Sequence, residues 1–223
     1  SYPIEVDHSY TVVNLIVKTN DESGWKYSYV GFDNWMNDDY NDNFWPDAVE
    51  TTFNKSPYYP YQLFPELDSD CKWIWGANYS YGKNVYLRKT LFIDGDISNA
   101  TLMVSAEKTY TLYVNGTYMG YNSNFRELTT YDYNDLSSVL KPGFNSICAV
   151  VYDTSGLYGF TAKLAVNEEK PTITSISPDS PCMGDTITIT GSNFGDGTDG
   201  SLNFDGIPVS SEYIISWEAG QIE

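Results

Sequence analysis

Histidine is almost missing from this sequence: its 223 residues contain a single one, His8, near the N-terminus. Serine or cysteine nucleophiles usually need a histidine base inside the fold, and no motif surrounds His8. Zinc sites built from histidine and cysteine lack support for the same reason. The sequence therefore predicts that the chain is not an enzyme, and we assign no catalytic residue.

Basic residues and long apolar runs are also scarce. The chain carries 12 Lys and Arg against 30 Asp and Glu, a formal net charge of −18. Such an acidic surface argues against nucleic acid and anionic membranes as partners. No apolar run reaches the roughly 18 residues that a transmembrane helix needs. We expect no nucleic-acid partner and no membrane-spanning segment in this chain.

Four Asn-x-Ser/Thr sequons occur, at Asn54, Asn78, Asn99 and Asn115. Sequons mark asparagines that are glycosylated in exported proteins. Four of them indicate a glycoprotein that is extracellular or on the cell surface. The sequon at Asn54 is the weakest, because Pro57 follows it.

Only three cysteines are present, which leaves one unpaired if the others form a bridge. For an exported protein we predict a disulfide between Cys71 and Cys148, each next to a predicted strand, with Cys182 left for a partner outside this chain. Three buried free thiols are the alternative.

Aromatic residues are abundant at 16%, and the hydrophobic periodicity is typical of strands almost throughout. The predicted strands are 10–17, 85–93, 100–106, 109–114, 146–152 and 159–166. Asn115-Gly116 predicts a tight hairpin turn between two of them, because both residues tolerate positive φ. One helical turn is expected within 131–140. The fold class is therefore all-β.

A long irregular stretch rich in aromatic and acidic residues runs from Gly31 to Asp70. Its flat rings, with Trp25, are suited to stacking on sugar rings, while nearby Asp and Asn accept hydrogen bonds from hydroxyls. Alternatively, the rings pin the loop onto a sheet. The candidate carbohydrate-binding residues are Trp25, Trp35, Trp45, Tyr58, Tyr59 and Tyr61.

Acidic residues cluster in the same stretch without a neighbouring base. Oxygen ligands at short spacing are what Ca²⁺ requires, so Asp38, Asp39 and Asp42 are candidate ligands of a structural calcium ion. The spacing does not match an EF-hand loop. A solvated acidic loop is the alternative, and no other cofactor is predicted.

Several short motifs, in order, resemble the galactose-binding-like jelly-roll modules attached to glycoside hydrolases, such as α-L-rhamnosidase accessory domains. The matching segments are 42–48, 72–75, 86–89, 100–106, 113–116, 131–132, 140–145 and 149–151. The resemblance covers roughly residues 10–167 and implies a jelly-roll β-sandwich in an accessory, non-catalytic module.

The polar stretch 167–171 separates this pattern from a different one and predicts a domain boundary. Residues 171–178, 184–195, 209–217 and 221–222 resemble an IPT/TIG domain, an immunoglobulin-like fold of cell-surface and secreted proteins. From Pro171 only 53 residues follow, whereas such a sandwich needs about 80–100. We therefore expect a jelly roll at 1–167 and an incomplete immunoglobulin-like domain at 168–223.

Two non-catalytic functions fit these features. The first is a surface protein that mediates adhesion or assembly by binding other protein chains through β-sandwich domains. The alternative is a carbohydrate-binding accessory region of a larger secreted glycoside hydrolase, with glycans as partners. A catalytic hydrolase is a third and weaker hypothesis, because abundant acids are its only support.

Overall fold

A computed structural model of the chain describes residues 12–20, 24–52, 54–55, 57–77, 82–154, 156, 158–169, 172–182, 184–194, 202–204, 207–218 and 220–223. The interpretations of His8 and Asn78 fall outside these described residues. Within them the chain is nearly all β, which confirms the predicted fold class. No helix in the described part of the chain is long and apolar enough to cross a membrane.

The described strands and helical turns follow the chain in this order: β1 Val12–Lys18, β2 Lys26–Ser28, β3 Val49–Glu50, α1 Pro60–Leu63, β4 Ile74–Trp75, β5 Asn84–Ile93, β6 Asp96–Ala106, β7 Thr109–Val114, β8 Thr117–Asn122, β9 Thr129–Tyr131, α2 Tyr133–Leu136, β10 Gly143–Tyr152, β11 Phe160–Glu169, β12 Thr172–Ser177, β13 Thr188–Ser192, β14 Asn203–Phe204, β15 Ile207–Pro208, a 3₁₀ turn Ser211–Tyr213, β16 Trp217–Glu218 and β17 Gln221–Ile222.

These elements form two compact units. The larger, called the N-terminal unit below, comprises Asn14–Ile93 and Ile97–Asn167. The smaller, called the C-terminal unit, includes Glu168–Glu223 together with Asp94–Asp96. Within the smaller unit the Glu168 carboxylate accepts a hydrogen bond from the backbone N–H of Asp94 at 2.9 Å, which ties the two stretches together.

Two sheets form the N-terminal unit. One has five strands in the order β2-β5-β10-β7-β8, and all four pairings are antiparallel. The other has six strands, with β3-β4-β11-β6-β9 in order and β1 also paired to β11. The long strands β5, β6, β7, β10 and β11 coincide with the predicted runs, since each alternates apolar and polar residues.

The core lies between these two sheets. Along β10, Ile147, Ala149 and Val151 face inward and are buried together with Leu102 of β6 and Leu164 of β11. Because successive side chains of a strand point to opposite faces, one residue in two of each long strand contributes to this layer. Trp73 and Leu87 are also fully buried, as the alternation around them predicts.

The connections follow their local sequence. Asn115 and Gly116 have φ of 49° and 78°, the positive values that the predicted two-residue hairpin between β7 and β8 requires. Asp132 caps the single turn α2 by accepting hydrogen bonds from the backbone N–H groups of Asn134 and Asp135. The predicted helical turn is confirmed, but it is only four residues long.

The C-terminal unit is built from a four-stranded sheet in the order β12-β13-β17-β16 and a two-stranded ribbon of β14 and β15. Its buried core among the described residues consists of Ile189, Phe194 and Ile222. Trp217 packs against this core and donates its indole N–H to the carbonyl of Phe194 at 2.7 Å.

Candidate ligand-binding site

A paired hydrogen bond between Asn54 and Trp73 holds the segment that follows β3. The Asn54 amide nitrogen donates to the Trp73 carbonyl at 3.0 Å, and its oxygen accepts from the Trp73 backbone N–H at 2.8 Å. The Trp73 indole donates to the carbonyl of Tyr58 at 2.7 Å. Because Trp73 is fully buried, these bonds fix the backbone of Tyr58 while its ring stays partly exposed.

An ion pair lies next to this ring. Arg126, in the loop between β8 and β9, donates Nε to Oε2 of Glu107 at 2.6 Å and Nη2 to Oε1 at 3.0 Å. Glu107 is fully buried, whereas the Arg126 side chain is 15% exposed. Burial raises the pKa of Glu107, and the hydrogen bonds from Arg126 oppose that rise.

The guanidinium of Arg126 is flanked by aromatic rings. Its central carbon lies 5.2 Å from the centroid of Tyr58 and 4.5 Å from that of Phe125. These distances are within the range of cation–π attraction. Phe125 is 60% exposed, so a flat apolar surface and a hydrogen-bonding cation lie together at the surface. We call Tyr58, Glu107, Phe125 and Arg126 the Arg126 site.

The backbone of Arg126 is strained. Its φ is 50°, in the left-handed region that costs a residue with a side chain free energy. The other non-glycine residues with positive φ in the described part of the chain are Asn34, Asn115 and Asn193, and asparagine tolerates this region best. Strain of this kind often accompanies function, and here it accompanies a bidentate contact with Glu107.

Tyr59 and Tyr61 lie beside the site at the start of α1. Their rings stack at 5.5 Å with an interplanar angle of 23°, and Lys72 Nζ is 5.2 Å from the Tyr59 centroid. The structure therefore brings the predicted Tyr58 and Tyr59 close to two cations. Of the sequence-predicted aromatics, Tyr58 contacts Arg126, whereas Tyr59 contacts Tyr61 and Lys72.

The three predicted tryptophans are not available to a sugar, so the interpretation of Trp25, Trp35 and Trp45 as stacking platforms is wrong. Each is at most 4% exposed. Trp25 belongs to the core between the sheets, and Trp35 and Trp45 stack at 5.9 Å beneath the loop that carries them. The alternative interpretation, that the rings pin the loop to a sheet, is the one the structure supports.

Arg88 anchors that loop to the outer face of β5. Its fully buried guanidinium donates to Asp42 at 2.9 Å and to the carbonyls of Trp35 and Tyr40 at 2.9 and 3.2 Å. The rings left exposed by this arrangement are Phe32 and Phe44, which meet edge to face at 6.2 Å.

Asp38, Asp39 and Asp42 do not converge as a calcium site, which corrects that prediction. Asp42 is bound to Arg88, and Asp38 forms an ion pair with Lys141 at 2.6 Å that lowers the pKa of Asp38. Asp39 is exposed. In the described part of the chain no group of three His, Cys, Asp or Glu side chains is placed to hold a metal ion.

The predicted disulfide is also wrong: Cys71 and Cys148 are free thiols in the structure. Cys148 alternates with the inward Ile147 and Ala149 and so faces outward, where it packs with Trp35 and Trp45. Cys71 precedes β4 of the opposite sheet. Burial raises the pKa of each thiol to about 11. The alternative expectation is three buried free thiols. Cys71 and Cys148 are buried free thiols, whereas Cys182 is exposed.

The described sequons differ in their surroundings. The side-chain amides of Asn54 and Asn115 form internal hydrogen bonds, whereas Asn99 is exposed on β6. The sequon at Asn78 falls outside the described residues.

Sequence reasoning did not identify Glu107, Phe125 or Arg126. The ion pair joins residues 19 positions apart across the ladder of β6 and β9, and no short motif marks such a pair. Glu107 directly follows the apolar run of β6. Recognising from the sequence that it is buried would have required a prediction of which strands pair and in what register.

Solved structures similar to the chain include three glycoside hydrolases. A β-glucuronidase from glycoside hydrolase family 2 gives a TM-score of 0.46 at 16% identity, covering 86% of this chain and 23% of its own length. Bacteroides uniformis β-glucuronidase 2 gives 0.45 at 14%, covering 82% and 23%. Ruminococcus gnavus β-glucuronidase gives 0.41 at 12%, covering 86% and 34%.

This chain thus spans 23–34% of the length of these enzymes. The TM-scores are below 0.5, so these similarities do not assign a function to the chain. Comparison with curated protein sequences gave no match. The sequence model of the IPT/TIG domain matches residues 171–222, which confirms the resemblance inferred for this part of the chain. Residues 171–222 are an IPT/TIG domain, an immunoglobulin-like β-sandwich.

Proposed function

We propose that this chain is a non-catalytic binding region of an exported protein and that its N-terminal unit binds carbohydrate at the Arg126 site. The observation that carries the proposal is an arginine at φ of 50° whose guanidinium lies within cation–π distance of two aromatic rings and binds a buried carboxylate. Aromatic rings stack on the apolar face of a pyranose, and a fixed guanidinium donates to hydroxyl oxygens.

The chemistry of Glu107 supports binding rather than catalysis. A general acid or base has to exchange a proton with its substrate within hydrogen-bond reach. Both Glu107 oxygens accept hydrogen bonds from Arg126, and the carboxylate is fully buried. Glu107 therefore positions Arg126, and Arg126 with the two rings makes the contacts to ligand.

The resemblance to galactose-binding-like jelly-roll modules supports the same assignment. Modules of that family act as accessory regions beside catalytic domains, which is one of the two functions expected from the sequence. We therefore favour an accessory region of a larger secreted glycoside hydrolase, located outside the cell, as the setting of the Arg126 site.

Glycan-array screening followed by calorimetry tests the site. Phe125→Ala and Arg126→Ala should each weaken binding of an array-positive glycan by about tenfold or more, a loss of about 1.4 kcal/mol. Phe44→Ala is the matched control, since Phe44 is exposed like Phe125 but lies on the loop anchored by Arg88. Binding lost in Phe44→Ala and kept in Phe125→Ala would contradict the proposal.

Adhesion or assembly through the C-terminal unit is a second candidate function. Tyr213 and Ile215 are 74% and 70% exposed, and Ile173 on β12 is also exposed. Large apolar side chains on the surface of an IPT/TIG domain are suited to contact with another protein chain. Analytical ultracentrifugation of the intact chain and of Tyr213→Ser/Ile215→Ser tests this. A monomer in both samples at all concentrations would count against self-assembly.

A further inference from the structure

We infer that, of the three sequon asparagines in the described part of the chain, Asn99 is the one that carries an N-linked glycan when the chain is exported, and that Asn54 and Asn115 stay unmodified. In this reaction the side-chain nitrogen bonds to C1 of an oligosaccharide carried on a lipid pyrophosphate. The bond from C1 to the pyrophosphate oxygen breaks, and the amide loses a proton. The side-chain amides of Asn54, Asn99 and Asn115 differ in how many hydrogen bonds they form within the folded chain.

Asn115 uses its whole amide inside the fold. Its nitrogen donates to the carbonyl of Val139 and to the side-chain oxygen of Asn145, both at 2.7 Å. Its oxygen accepts from the backbone N–H of Ser146 at 2.7 Å. An amide nitrogen has two hydrogens, so a glycan there removes one of these bonds.

The bond removed would be the one to the Val139 carbonyl or the one to Oδ1 of the fully buried Asn145. In the second case Asn145 Oδ1 would keep only the hydrogen bond from the Lys141 backbone N–H, and loss of a hydrogen bond to a buried polar group is costly. The Asn115 oxygen would keep its bond from Ser146. A glycan at this position therefore works against the folded structure.

Asn54 is committed in a similar way. Its amide forms the two-way hydrogen bond with the backbone of Trp73, whose side chain is fully buried. This pairing holds the segment that carries Tyr58. It uses one of the two amide hydrogens, so a sugar on the nitrogen would take the place of the other, next to the backbone of Trp73. Pro57, directly after the sequon, points the same way.

Asn99 differs from Asn54 and Asn115 in its surroundings. It lies on β6 between the exposed Ser98 and the buried Ala100, and its side chain is exposed and forms no hydrogen bond with the described residues. The inward side chains of this strand are Ala100, Leu102 and Val104. The amide of Asn99 therefore points away from the core, and its modification breaks no internal contact.

The position of Asn99 is compatible with ligand binding at the Arg126 site. Asn99 and Glu107 lie on the same strand path eight residues apart, roughly 26 Å at about 3.3 Å per residue. A glycan on Asn99 therefore leaves the Arg126 site open. This inference does not depend on what that site binds, only on export through a compartment that glycosylates.

The test is secretion of the full chain from an N-glycosylating host, in a Ser80→Ala background that removes the sequon at Asn78. Thr101→Ala removes the sequon of Asn99, and Thr117→Ala removes that of Asn115 while leaving its hydrogen bonds in place. We expect the mobility shift on peptide:N-glycosidase treatment to vanish in Thr101→Ala and to persist in Thr117→Ala.

Peptide mapping of the Ser80→Ala chain should locate the modification on Asn99. A glycan that survives in Thr101→Ala, or one that disappears in Thr117→Ala, would overturn the inference. So would a bare chain secreted beside a co-expressed control protein that the host does glycosylate. Asn99→Gln should match Thr101→Ala in both mobility and thermal midpoint, which shows that loss of the glycan is not loss of folding.

Discussion

The N-terminal unit and the C-terminal unit are both built from antiparallel strands, yet they bury very different amounts of apolar surface. The N-terminal unit has a continuous core of 26 buried residues between two sheets. The described part of the C-terminal unit has a core of three buried hydrophobic residues, and Ile176, Ile187 and Leu202 are only partly covered. Burial is the main favourable term in folding, so the same strand pattern yields two units of unequal stability.

The two units also differ in what covers their outer surfaces. In the N-terminal unit, long loops lie on the sheets and are fixed by polar side chains such as the buried Arg88 and the partly buried Asn54. In the C-terminal unit Tyr213 and Ile215 are left in solvent. The loop that carries Trp35 and Trp45 is thus held both by its own buried rings and by one buried side chain, Arg88, that satisfies several backbone groups.

The largest effect is expected from Arg88→Ala. The change leaves Asp42 with only the Thr90 hydroxyl as donor and removes the guanidinium from the carbonyls of Trp35 and Tyr40. Breaking a buried ion pair costs about 3–5 kcal/mol. The free energy of unfolding measured in urea should fall by that amount. Lys26→Ala is the control, because the pair of Lys26 with Asp47 is at the surface and is worth at most about 1 kcal/mol. Equal losses in both variants would show that the loop is not anchored by Arg88.

Asn115→Ala should follow, with a loss of about 2–3 kcal/mol, since three hydrogen bonds disappear and buried partners are left unsatisfied. Alanine also disfavours the positive φ of the hairpin turn. The matched control is Asn99→Ala, at an exposed position, which should change the free energy of unfolding by less than about 0.5 kcal/mol. A neutral Asn115→Ala would mean that the turn forms without this side chain.

Ile189→Ala tests whether the C-terminal unit unfolds by itself. Removing this buried side chain should destabilise the unit by about 2 kcal/mol. Hydrogen exchange should then rise in β12, β13 and β17 and stay unchanged in β5 and β10. Ile215→Ala, at an exposed position, serves as control. Faster exchange throughout both units would show that they unfold cooperatively, and the contrast between them would fail.

The smallest effect concerns acid stability. Asp68 forms ion pairs with Lys18 and Lys163, and the hydrogen bond from Lys18 is the main reason that its pKa lies below the ordinary value of 3.8. A lowered folded-state pKa adds stability above the unfolded pKa, and this is lost as the pH falls through the folded value.

Asp68 is 37% exposed, so this contribution should be about 1 kcal/mol or less. Asp68→Asn should therefore lower the thermal midpoint slightly at pH 7 and leave it unchanged near pH 2. The control is Asp96→Asn, because Asp96 is also a partly exposed carboxylate but lies on β6. If Asp68→Asn lowered the thermal midpoint more at pH 2 than at pH 7, the ion pairs of Asp68 would not stabilise the folded chain at neutral pH, and the lowered pKa of Asp68 would be wrong.

Local pattern alone determined the all-β class, the long strands and the turn at Asn115-Gly116. Alternation and turn chemistry act over a few residues, so a single sequence contains this information. The same holds for the IPT/TIG domain at 171–222, which is recognised by its ordered motifs.

Only the tertiary structure decided which candidate residues reach a ligand. Trp35 and Trp45 resemble binding residues in sequence, but they are buried because Arg88 draws their loop onto the sheet. Cys71 precedes β4 and Cys148 lies within β10, where the alternation of the strand places Cys148 on the outer face. The Arg126 site depends on Glu107, directly after β6, meeting Arg126 of the loop between β8 and β9. Contacts between residues distant in the chain depend on sheet register and burial, and no local pattern specifies which partner lies opposite.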